Sequence, residues 1–136
     1  MTRWTTYLPA LAIALLCSTE SSEAAMSAAE FEAYTTGKTL YFGSQGQDYG
    51  AEDYRENRRV RWSFLDGQCK EGYWYEGAES QICFVYEDRP ETSQCWTFER
   101  SAQGLIATFM GESGRVLYEA RRTDEPMLCL GPEVGV

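Results

Sequence analysis

Four cysteines, Cys69, Cys83, Cys95 and Cys129, are the side chains best suited to covalent chemistry in this sequence. They include no C-x-x-C pair, and the chain has no histidine. A tetrahedral zinc set and a thioredoxin-type redox pair are therefore both poorly matched. Lack of histidine also removes the Ser-His-Asp and Cys-His routes to an activated nucleophile. With Cys17 set aside as part of the N-terminal apolar run described below, the even number that remains reads instead as two disulfides of a short exported chain.

Carboxylates are the other abundant reactive group, with 21 Asp and Glu against 12 Lys and Arg and a formal net charge of −9. That excess repels phosphates and argues against a nucleic-acid partner. Paired acids can hydrolyse glycosidic bonds, but among so many acids some fall close by chance. Neither a glycine-rich phosphate loop nor a nucleophile elbow accompanies them. Asp48, Glu52, Asp53 and Glu56 offer oxygen ligands for calcium. They lack the D-x-D-x-D-G spacing and terminal Glu of a calcium loop, and a solvated acidic loop is the plainer reading. The sequence thus nominates no catalytic residue, no metal site and no cofactor.

Two groups of residues suit contact with a ligand or partner. Trp62, Trp74 and Trp96 could form a stacking platform for sugars or peptides, or simply fill the core of a small β-domain. Trp74 is singled out because the register argued below sets it opposite Cys83, away from the Ile82/Phe84 face. Arg59 and Arg61, with Arg58, form the densest positive patch and could hold a carboxylate or phosphate. Alternate arginines on a strand's solvent face would also discourage edge pairing.

The elements that position these residues begin after an export signal. Met1-Thr2-Arg3 is followed by an apolar run, Tyr7–Cys17, and then by small and polar residues, the three-part layout of a secretory signal. The run is too short for a membrane span, which needs about 20 residues. Ser22 and Ala24 suit cleavage before Ala25, giving a signal over residues 1–24 and one domain over 25–136. Cys17 raises the competing reading of a lipid anchor, but Leu16 before it is larger than a lipoprotein signal prefers. The expected address is the periplasm or the exterior.

Ser27 followed by Glu30 forms a capping box that opens a short helix, and Gly37 ends it. Beyond it the spacing predicts strands over 39–43, 58–65, 72–76, 81–87, 94–100, 105–110 and 116–121, separated by Gly, Asp, Pro or Ser. Connections this short favour antiparallel neighbours. The fold expected is mainly β, an antiparallel meander of about seven strands curled into a small barrel or sandwich, with a short N-terminal helix.

Alternation then pairs two of the cysteines. Ile82, Phe84 and Tyr86 share one face of their strand, while Cys83 and Val85 share the other. If Cys83 stands across from Cys95, Phe84 faces Gln94 and Ile82 faces Trp96. Both sulfurs then project from one side, which favours Cys83–Cys95. Cys69–Cys129 is the remainder, and the other two connectivities stay open at this point.

The run Trp62…Asp66-Gly67-x-Cys69-x-x-Gly72-x-Trp74-Tyr75…Ile82-Cys83-Phe84-x-Tyr86…Cys95-Trp96-x-Phe98 resembles a pattern in short exported proteins of Gram-negative bacteria whose function is unknown. The similarity covers residues 28–110, and Gly37-Lys38-Thr39-Leu40 resembles the start of their first strand. Cys129 lies outside the matched positions. The resemblance implies a fold and an export address, but no reaction.

The leading expectation is an exported, non-catalytic β-domain that binds an envelope partner or has a structural role there. The alternatives are a lipocalin-like carrier of a small apolar ligand and, third, a carboxylate-dependent hydrolase. Volume separates the first two. Tyr73, Tyr75, Phe84, Trp96 and Phe98 pointing inward would fill a seven-strand interior, whereas a cavity of several hundred Å³ would favour the carrier.

Overall fold

The computed structural model describes residues 1–2 and 24–130. Most of the expected export signal, with the Cys17 alternative, and the last residues of the domain lie outside the described residues. A helix, α1 (Ala28–Thr35), opens the folded part. The Ser27 hydroxyl caps it by accepting from the Glu30 N–H at 3.2 Å. Gly37 then takes the left-handed turn, φ +81°, that leads out.

Eight strands follow: β1 (Thr39–Ser44), β2 (Gln47–Tyr54), β3 (Arg59–Ser63), β4 (Lys70–Glu76), β5 (Ile82–Tyr86), β6 (Gln94–Ser101), β7 (Gly104–Phe109) and β8 (Val116–Thr123). Each pairs antiparallel with the next, and β8 closes on β1, so the meander is a closed barrel with no free edge. The additional strand is β2, which replaces the expected acidic loop. Its Glu52 and Asp53 are both buried, on opposite faces of the strand, and so do not form a cluster that could chelate calcium.

The β5–β6 register is the one expected from alternation: Cys83 faces Cys95, Phe84 faces Gln94 and Ile82 faces Trp96. Cys83–Cys95 and Cys69–Cys129 are the two disulfides, with Cα–Cα distances of 4.0 and 5.8 Å.

One strand earlier, the expected register needs correcting. Across the Gly77–Gln81 connection Tyr75, not Trp74, faces Cys83, and Trp74 faces Phe84. A shift of one residue turns every side chain to the other face. Trp74 is therefore a core residue, 3% exposed, while Tyr73 and Tyr75 point outward at 50% and 39%.

The helix closes one end of the barrel. Phe31 is fully buried and meets Phe98 (4.4 Å between ring centres), Trp74 (5.2 Å), Tyr54 (5.5 Å) and Phe84 (6.3 Å). The Tyr34 hydroxyl adds a 2.7 Å hydrogen bond to Glu119 Oε2.

After β8 the chain crosses the outside of β2 and β3. There the Met127 N–H donates to Asp53 Oδ1 at 3.0 Å, and Arg61 Nη2 donates to the Met127 carbonyl at 2.9 Å. Arg61 also holds Asp53 Oδ2 through Nη2 at 2.8 Å and Nε at 3.1 Å. The segment ends at Cys129, tied to Cys69 beyond β3, where the Leu130 N–H meets the Gly67 carbonyl at 2.8 Å.

Candidate functional site: an aromatic cavity with a buried carboxyl

With α1 sealing one end, the interior opens at the other, between the connections Phe64–Cys69 and Glu87–Ser93. The cavity there measures about 180 Å³. Its walls are largely aromatic, from Phe42, Trp62, Phe84, Trp96 and Phe98, with Ala107 and Leu117 completing them. Alternation puts these residues inside, because every second residue of each strand faces the axis.

Two local devices shape the upper wall. The β1–β2 register slips at Phe42/Gly43, leaving Tyr49 as an extra residue whose ring reaches the cavity mouth. Gly50 then leaves space for an indole: a Cβ there would lie 2.2 Å from Trp62 Cζ2.

One acidic side chain reaches the cavity floor. Glu52, 2% exposed, lies beside Tyr86, whose hydroxyl is 2.9 and 3.0 Å from the two carboxylate oxygens. Burial pushes the Glu52 carboxyl well above the ordinary range. The Tyr86 hydrogen bond offsets part of that rise, and the Asp53 charge adds to it. Burial and the neighbouring Glu52 likewise push the Tyr86 and Tyr54 hydroxyls up. At the mouth, Lys70 Nζ pairs with Asp88 Oδ2 at 2.6 Å, and Arg89 and Thr92 complete the rim.

The residues singled out from sequence are dispersed rather than gathered here. Trp74 lies below the cavity, packed on Phe31, with the Arg58 guanidinium 4.4 Å from its ring centre. Arg59 is exposed on the outer face, and Arg61 is occupied by Asp53 and the C-terminal segment. Cys83–Cys95 crosslinks β5 and β6, the strands that carry Tyr86 and Gln94 into the wall. Cys69–Cys129 braces the opposite side of the mouth. Sequence reasoning missed Glu52 as an interior group, although Gly50, Glu52 and Tyr54 already stood at alternate positions.

The class defined so far is a closed, eight-stranded, up-and-down barrel with one plugged end and one small aromatic cavity. No family model, curated protein or solved structure matches the chain. Among the described residues no helix is long and apolar enough to cross a membrane.

Proposed function

We propose that this protein is an exported, non-catalytic binding barrel that takes up one small, mainly apolar ligand through the mouth opposite α1. The observation that carries this reading is the cavity itself: aromatic on its walls, blocked below by Phe31 and open at the rim. Pockets of this composition are the usual form of small-molecule sites. At about 180 Å³ the cavity does not reach the several hundred Å³ expected above of a lipocalin-like carrier, so the reading is confined to a compact ligand.

Support for a non-catalytic role comes from how the two acids in the lining are engaged. Glu52 is held by Tyr86, and Asp88 by Lys70. Export is supported by the two disulfides, which persist in oxidising compartments.

The test is titration with a compact aromatic alcohol, 2-phenylethanol, followed by emission from Trp62 and Trp96. Saturable quenching at one site per chain is expected. A flat response, with no density for the alcohol in a soaked crystal, would reject the reading.

A further inference from the structure

We infer that the ligand carries a single cationic amine, with the Glu52 carboxylate as its counter-ion and the aromatic walls as its cage. This rests on the reading of the cavity as a ligand site and names the chemistry of what enters it. A buried carboxyl is costly, and an apolar residue of similar shape would generally stabilise a barrel interior better. Glu52 nevertheless sits at the cavity floor, and among the described residues no Lys or Arg forms an ion pair with it. Tyr86 has one hydroxyl hydrogen to offer, whereas a carboxylate has about four acceptor positions. Both Glu52 oxygens lie beside that one hydroxyl, which leaves an ionised carboxylate acceptor positions for an entering ammonium group.

Ring faces attract cations, more strongly once water is excluded, and several rings surround this acid. Phe84 and Tyr86 stack nearly parallel, 6.3 Å apart and 6° between planes. The net charge of −9 favours the approach of a cation, and Asp88 neutralises Lys70 at the rim.

The groups around Glu52 respond to pH differently. Tyr86 on β5 and Tyr54 on β2 are pushed up by burial, so both stay neutral between pH 5 and 8. Asp53 on β2 faces the other way, into Arg61, and Glu119 on β8 lies towards α1 beside Tyr34. At the rim the Lys70 hydrogen bond holds Asp88 below the usual range, so it stays ionised. Glu52, raised by burial, is the cavity group that gains a proton as pH falls. Amine uptake should weaken on acidification for that reason.

The experiment titrates the exported protein with 2-phenylethylamine, 2-phenylethanol and phenylacetate, probes of one size with positive, neutral and negative ends. At pH 8 the amine should bind at least tenfold more tightly than the alcohol. As pH is lowered from 8 its affinity should fall while that of the alcohol stays within twofold. In Glu52→Gln the amine should bind no better than the alcohol. Should that variant fail to fold, the wild-type comparison of amine with alcohol still decides.

Equal affinity for amine and alcohol would overturn the amine inference and leave the ligand site standing. Tightest binding of phenylacetate would overturn it in favour of Lys70 and Arg89. Binding of none of the three would reject both readings.

Discussion

Tyr86 and Glu52, 34 residues apart in sequence, meet inside the barrel, where one hydroxyl lies 2.9 and 3.0 Å from both oxygens of one carboxyl. The contact joins β5 to β2 across the interior and sets the polarity of an otherwise aromatic floor. Its consequences are measurable without any ligand.

The first is the dependence of stability on pH. Burial raises Glu52 above its ordinary value of 4.5, so over a window opening there the folded protein holds a proton that the unfolded chain has released. That contribution is complete below the unfolded value and is lost as pH rises through the folded one. Wild-type stability should decline across this window relative to Glu52→Gln, by no more than about 1.4 kcal/mol per pH unit. Urea titrations of both proteins at pH 5, 6.5 and 8 measure the gap, which should widen upward in favour of Gln.

Phe31→Ala tests the plug. Its ring fills the closed end against four other aromatic side chains, so truncation should cost about 3–5 kcal/mol. Denaturant melts give the loss, and 2-phenylethanol binding should weaken as the floor is opened from below.

Gly50→Ala tests the wall. The new methyl would stand 2.2 Å from Trp62 Cζ2, so the indole must move. A loss of about 1–3 kcal/mol is expected, as for other overpacked sites. A changed Trp emission maximum and reduced probe affinity should accompany it.

The two disulfides should differ in weight. In the chain-entropy treatment, removing Cys83–Cys95, which spans 12 residues, costs about 3 kcal/mol. Removing Cys69–Cys129, which spans 60, costs about 4 kcal/mol. Paired Cys→Ser variants compared by urea denaturation should follow that order. If the chain is exported as proposed, its intact mass, with and without reductant, should show the hydrogens gained from both bridges and cleavage before Ala25.

Arg61 offers a further check on the C-terminal segment. Arg61→Ala leaves Asp53, whose side chain is 5% exposed, without its cation, and should cost about 3 kcal/mol. The Thr39 hydroxyl, 2.5 Å from Asp53 Oδ1, and the Met127 N–H keep the carboxylate partly satisfied. Faster amide exchange at Met127, while β5 and β6 remain protected, would locate the effect in that segment.

Local chemistry made much of the fold legible in the residues alone. The Ser27–Glu30 cap, the short aromatic strands and the alternation through Ile82–Tyr86 each act within a few residues. They led to the helix, the antiparallel meander and the Cys83–Cys95 register. What depended on closure did not show. Gln47–Tyr54 reads as acidic and solvated until β8 seals against β1 and the C-terminal segment covers Asp53. Only those long-range contacts bury its two adjacent acids, one inward and one outward. Trp74 lies on the face opposite to the one its local pattern suggests, because a one-residue difference across a connection reverses a strand, and local pattern does not set that count. Glu52 acquires its character from Tyr86 and the rings around it, which come from strands distant in sequence. Its surroundings, and hence its chemistry, were decided by tertiary structure.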